Sequence, residues 1–220
     1  MTVPKTISGL VLGLLLTAAT PVVPDAQDAD GVLQGLQAWL DGTRSLSGRF
    51  EQELVSSALG GGEADRGRVY VQRPGQMRFE YEEPEPMTAM LVGEQTWVYV
   101  PDLRQLTRGS LDDETDLFPR LLVGEGRLAD LFLASIPDDG ESVGRGQVRL
   151  RLVPMGDDGA FESVTLTLRS SDYAIEQADV RDGTGSHVIY RFSRLKRNRA
   201  LPAGIFDFQP PAGTRIVDGY

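Results

Sequence analysis

Three sets of residues carry side chains from which a reactive or binding site is ordinarily built. Ser186 and His187 are adjacent and Asp182 lies close by, which supplies the residue types of a hydrolytic triad. Neighbouring residues on a strand point to opposite faces, so Ser186 and His187 would not meet as nucleophile and base. His187 is therefore expected to be an ordinary strand residue. Asp112, Asp113, Glu114 and Asp116 offer carboxylates to a cation. They lack the spaced oxygen ligands and central glycine of a calcium loop, so a solvated acidic loop is expected, and Asp157-Asp158-Gly159 reads as a turn. The third set is basic: Arg191, Arg194, Lys196, Arg197 and Arg199. It reads either as a sheet edge guarded by charge or as a docking patch for an acidic partner or lipid headgroups.

Composition narrows these options. The 220 residues include one His and no Cys, with 22 basic against 32 acidic side chains and a formal charge of −10. Without Cys there is no disulfide, thiolate metal site or thiol nucleophile, and a single His removes most zinc sites. The acidic balance argues against a nucleic-acid partner, which needs a basic footprint. No phosphate loop or dinucleotide fingerprint appears. No metal, no cofactor and no enzymatic activity are expected, and the weight moves to binding or carrying.

The elements that would position a binding site follow an address. Residues 1–19 read MTVPKTISGLVLGLLLTAA: Lys5, an apolar run, then small residues. That is the pattern of a secretory signal peptide, with cleavage expected somewhere in 19–29. The apolar run is too short for a comfortable membrane span, so an exported monomer without stable membrane insertion is expected, as a single domain over 30–220.

Residues 30–43 place Val32, Leu36, Trp39 and Leu40 at helical spacing, with Leu33 beside them, and Gly42 at the end. Alternating segments follow. Leu46, Phe50 and Leu54 share a parity, and Val69 and Val71 share another. The cleanest alternation sets Met77, Phe79 and Tyr81 against Arg78, Glu80 and Glu82. Residues 87–92 and 96–100 flank a turn at Gly93-Glu94-Gln95. LFPRLLV and RLADLFLAS look helical, through Leu117, Leu121, Leu128, Leu131 and Phe132. Alternation returns from residue 147 onward. About ten strands at this spacing predict a sheet that curls or nearly closes.

Four motifs occur together and in order. They are Phe50-Glu51-Gln52; Arg73-Pro74-Gly75 followed by Met77-Arg78-Phe79-Glu80-Tyr81; Gly93-Glu94-Gln95-Thr96-Trp97-Val98-Tyr99; and Phe206-Asp207-Phe208-Gln209-Pro210-Pro211. Over essentially the whole mature chain, the sequence resembles the outer-membrane lipoprotein carrier family, LolA. The resemblance implies an unclosed antiparallel β-barrel of about eleven strands, with helices forming a lid over a hydrophobic cavity. It implies a periplasmic chaperone with acylated lipoproteins as cargo. These would be taken from an ATP-driven release complex in the inner membrane and passed to a receptor lipoprotein on the outer membrane. That receptor carries a lipidated Cys, so the absence of Cys selects the carrier. Two alternatives stay open on the same fold: a lipid-binding periplasmic sensor, and a carrier of another lipid or glycolipid.

The resemblance also implies residue roles. Arg73 matches the arginine that latches the lid. Met77 and Phe79 match a pair lining the cavity, here less aromatic because the first is Met. With alternation, this implies an acyl-binding surface of Phe50, Val69, Val71, Met77, Phe79, Tyr81, Trp97 and Tyr99. Its lid would be Leu33, Leu36, Leu40, Leu117, Leu121 and Phe132. Trp97 and Tyr99 share one parity, and alternation alone does not say which face is inward.

Overall fold

The computed structural model describes residues 29–58, 60–110, 121–123, 126–138, 143–156 and 162–219. The expected leader at 1–19, the carboxylates at 112–116, Leu117 and the expected turn at 157–159 lie outside the described residues.

Helix α1 (Ala29–Asp41) buries Val32, Leu33, Leu36, Trp39 and Leu40, one stripe at three- and four-residue spacing. It stops at Gly42, whose N–H bonds Ala38 O at 3.0 Å. The chain then enters the strand run: β1 (Ser45–Ser56), β2 (Gly60–Gly61), β3 (Asp65–Gln72), β4 (Gln76–Glu83), β5 (Met87–Val92), β6 (Gln95–Val100) and β7 (Gln105–Ser110). Residues 121–123 are helical. A short helix α2 (Leu128–Leu131) precedes β8 (Phe132–Ser135), β9 (Gln147–Pro154), β10 (Ser163–Arg169), β11 (Ile175–Arg181), β12 (His187–Arg197) and β13 (Arg215–Asp218). None of the described helices is long and apolar enough to cross a membrane.

All the described strands belong to one sheet of thirteen, in the order β13-β7-β6-β5-β4-β3-β1-β12-β11-β10-β9-β8, with β2 beside β1. Among them only β13 pairs in parallel, against β7. The two end strands, β13 and β8, do not pair with each other, so the barrel is unclosed as expected. The sheet curls strongly, because Leu91 on β5 and Phe132 on β8, far apart along this order, join one hydrophobic core with α1. Helix α1 lies in the concave side and contributes all five of its buried apolar residues to that core.

Two details differ from expectation. Among the described residues thirteen strands form rather than about eleven, because the ends of the sheet order contribute short strands of four residues, β8 and β13. The helix predicted through Phe132 ends at Leu131: Phe132 is extended (φ −134, ψ 141) and pairs with Pro154 of β9. Phe132 and Ala134 then alternate inward, so the period changes from helix to strand at that residue.

Gly67 shows why the sheet bends where it does. A bulge separates Arg66 and Gly67 in the pairing of β3 with β4. A Cβ at Gly67 would stand 1.9 Å from Glu80 O and 2.9 Å from the Phe50 ring. Only a residue without a side chain lets Phe50 lie down on the strand here.

Candidate functional site

Register decides which side chains face α1, because residues directly opposite in an antiparallel pair share a face. Leu46, Phe50 and Gln52 of β1 stand opposite Val71, Gly67 and Asp65 of β3. Val71 and Val69 stand opposite Met77 and Phe79 of β4, and Gly67 opposite Tyr81. On the other side, Phe50 and Gln52 pair with Phe192 and Tyr190 of β12. The result is an aromatic floor. The Phe50 ring meets Phe79 at 4.8 Å and Tyr81 at 4.9 Å, both edge-on. Phe79 lies 6.0 Å from Tyr190, which stacks with Phe192 at 6.4 Å.

This floor grades from covered to open. Val69, Val71, Met77, Phe79 and Phe50 are buried in the core beneath the helices, while Tyr81, Tyr190 and Phe192 are only partly covered. Burial pushes the Tyr81 phenol well above its ordinary value, with Tyr190 and Asp65 adding to the effect, so it stays neutral. Its hydroxyl donates to Gln52 Oε1 at 2.7 Å. Sequence reasoning missed Tyr190 and Phe192. The signal was present in HVIYRFS, where Val188, Tyr190 and Phe192 alternate with other residues.

Trp97 and Tyr99 do not join this surface. Met90 pairs with Arg78 on one side and Trp97 on the other, and Thr88 pairs with Glu80 and Tyr99. Both aromatics therefore share the outer face with Arg78, opposite Met77, Phe79 and Tyr81. The inner residue of β6 beside Ala89 is Val98. What covers the outer face is the C-terminal segment. Tyr99 lies 5.2 Å from the Phe208 ring, the Arg78 guanidinium sits 5.8 Å over the same ring, and Arg78 Nη1 donates to Ile205 O at 2.9 Å. Tyr70, Met90 and Leu106 are buried on this side, apart from the core around α1.

The expected lid residues Leu33, Leu36, Leu40, Leu121 and Phe132 are all buried in the same core as the inner wall, so the described part of the lid is seated. Three hydrogen bonds hold it. Gln37 of α1 donates to Gly126 O at 3.1 Å and accepts from Leu128 N at 2.7 Å. At the turn bearing Arg73, Gly75 N–H donates to Val123 O at 3.0 Å. Arg73 itself is half-buried at this turn, and its N–H donates to Arg44 O at 2.9 Å. Through Gly75 this turn bonds the backbone of the helical residues 121–123.

The basic run does not form one patch. Arg191 faces outward and pairs with Glu53 at 3.1 Å and Glu51 at 3.6 Å. Arg197 points to α1: Nε donates to Thr43 Oγ1 at 2.7 Å, Nη2 donates to Trp39 O at 2.8 Å, and the guanidinium stands 5.5 Å over the Trp39 ring. The neighbouring Asn198 donates to Gly42 O at 2.8 Å and accepts from Arg44 N at 2.8 Å. The strand partner of β1 therefore caps the helix, satisfying carbonyls that the helix end leaves open. The run is split by a bulge between Ser47 and Arg49 in the β1–β12 pairing, which changes which residues face inward. Arg194, Lys196 and Arg199 remain exposed. Arg199 joins Arg44, Ser45, Gln72, Asn198, Ala200 and Leu201 around a surface hollow of about 460 Å³.

The triad types do not assemble. His187 Nδ1 lies 2.7 Å from Asp179 Oδ1, and Asp179 is also bridged by Arg181 at 3.1 Å. Asp182 instead organises its own turn, accepting from Thr184 N at 2.9 Å and Ser186 N at 3.0 Å. Among the described residues there is no group of three His, Cys, Asp or Glu placed to hold a metal ion.

The fold and site together define an unclosed antiparallel half-barrel with a helix-covered, aromatic inner face. Comparison with known proteins gives the particular family. The family model for outer membrane lipoprotein carrier protein LolA matches residues 41–209. An outer-membrane lipoprotein carrier protein of Dechloromonas aromatica is 32% identical over 85% of this chain and 88% of its own. One from Alkalilimnicola ehrlichii is 30% identical over 93% and 92%. The chain belongs to the outer-membrane lipoprotein carrier family. A solved structure of an uncharacterized conserved protein from Thermus thermophilus has the same fold, with a TM-score of 0.52 and 15% identity over 87% of this chain and 99% of that one.

Proposed function

We propose that this protein is a periplasmic carrier that shields the acyl chains of lipoproteins on the inner face of its half-barrel. The observation that carries this reading is the graded aromatic floor, buried under α1 at one end and only partly covered at Tyr81, Tyr190 and Phe192 at the other. In this reading the leader at 1–19 is cleaved on export. Cargo is received from an ATP-driven complex in the inner membrane and handed to a receptor lipoprotein on the outer membrane. Arg73 latches the lid.

Magnitudes favour partial shielding. Burying a CH₂ is worth roughly 0.8 kcal/mol, so a chain of about 16 carbons offers roughly 12 kcal/mol. Three such chains would exceed the roughly −20 kcal/mol at which non-covalent affinities saturate. A carrier that buried everything would not release its cargo. A floor that is part core and part open suits a ligand that must leave, with the seated lid residues competing for the same surface.

The test is depletion of the protein from its host, after which lipoproteins destined for the outer membrane accumulate in the inner membrane. Unchanged sorting would overturn the reading. For the site, a folded Phe79→Glu variant loses acyl-chain loading, because a carboxylate would sit at the centre of the aromatic floor. Normal loading would remove the floor from the acyl-binding surface.

A further inference from the structure

The inner face is apolar under α1 and mixed at its open end, where Gln52 and Tyr81 stand at the end of the aromatic rows. Gln52 follows Phe50 by two residues on β1, and Tyr81 follows Phe79 by two on β4, so each continues a row that begins in the core. The Tyr81 ring packs edge-on against Phe50, and its hydroxyl bonds Gln52 Oε1 at 2.7 Å.

Counting donors makes this pair unusual for an apolar trough. A phenol and a primary amide together carry three hydrogen-bond donors, and the bond between them uses one. Turning the amide over exchanges which donor is used and leaves the count unchanged. Among the described residues neither side chain makes another hydrogen bond. Asp65 pairs with Gln52 across β1 and β3 but takes no hydrogen bond from it. Two donors therefore remain where the aromatic rows leave the buried core, beside the partly covered Tyr190 and Phe192. An alkyl tail makes no use of them. The carbonyl oxygen that joins an acyl chain to its glyceryl group is an acceptor, and it lies at the head of the tail, where the surface changes from apolar to polar.

We propose that the Gln52–Tyr81 pair recognises the ester carbonyl at the head of an acyl chain whose tail lies on Phe50, Phe79, Tyr190 and Phe192. This rests on the acyl-carrier reading and adds to it a direction and a chemical preference. The tail runs inward toward α1, the head stays at the open end, and acyl esters are preferred over alkyl ethers of equal length.

The experiment compares two ligands on the full mature protein: a dipalmitoyl-glyceryl-cysteine peptide and its dihexadecyl ether analogue, which lacks both ester carbonyls. Each displaces an apolar fluorophore bound in the trough. The wild type is expected to bind the ester roughly 3- to 10-fold more tightly, the range of one net hydrogen bond. Gln52→Leu brings that ratio close to one. Equal binding of ester and ether by the wild type, or an undiminished ratio in Gln52→Leu, overturns the proposal and leaves the carrier reading standing. Failure of both ligands to displace the fluorophore overturns the carrier reading and the proposal with it. Should Gln52→Leu not fold, the wild-type comparison decides alone.

Discussion

Replacing Arg197 by Met tests whether β12 holds the lid helix. The substitution keeps an apolar stem but removes the hydrogen bonds to Trp39 O and Thr43 Oγ1 and the cation over the Trp39 ring. Thr43 is buried, and its hydroxyl keeps its own bond to Trp39 O at 2.6 Å. That carbonyl is therefore not orphaned, and the loss is limited to net interaction terms. A hydrogen bond involving a charged group contributes about 1.5–3 kcal/mol when well buried. The Arg197 residue as a whole is exposed, so the two bonds together are put at about 1.5 kcal/mol, with about 0.5 kcal/mol for the cation–π contact. The sum, about 2 kcal/mol, corresponds to roughly a 30-fold change in an opening equilibrium. Native-state hydrogen exchange reads it out. The amides of Gly42 and Thr43, bonded to Ala38 O and Leu40 O, should exchange roughly 30-fold faster if the helix end opens locally. Exchange at Gly42 and Thr43 within about threefold of wild type would refute the view that Arg197 clasps α1.

Other expectations follow from single positions. Gly67→Ala should destabilise the protein by about 3 kcal/mol or more in urea unfolding, because the new methyl group meets the Glu80 carbonyl, which is backbone and has little room to move. A loss under about 1 kcal/mol would mean the bend is soft. The Asp65 carboxyl is raised above its ordinary value by burial, with Glu63 and Glu85 adding to it. A carboxyl raised in the folded state costs stability as pH climbs from its ordinary value through the raised one. Asp65→Asn should therefore stabilise at pH 7, and the gain should vanish below the ordinary value of 3.8. A pH-independent gain would point to packing instead. Arg73→Leu should give a lid that opens more easily and impair transfer of bound lipoprotein to the receptor; normal transfer would remove the latch role from this residue.

Much of the working surface could be read from the chain. Alternation placed Met77, Phe79 and Tyr81 on one face, and helical spacing selected the five α1 residues that are buried. These patterns are local: a strand has two faces and a helix one apolar stripe, so the residue types announce which side must leave water. The four motifs, in order, were enough to place the chain in its family.

Other features required the assembled sheet. Alternation put Trp97 and Tyr99 on a common face but could not say which, because that depends on register with β5 and on what covers the outside. Here the C-terminal segment supplies an outer cover, so aromatics on that side are also shielded from water. Phe132 has the same apolar character in a helix as in a strand, and pairing with β9 decided the matter. Arg197 belonged by sequence to a charge run. A bulge turned it toward α1, where the exposed carbonyls of a helix end compete successfully for a cation. Tyr190 and Phe192 became part of the floor only because β12 pairs with β1, far earlier in the chain. A chain's own pattern fixes which side of an element is apolar; which apolar sides then meet is decided by hydrogen-bonded pairing between strands distant in sequence.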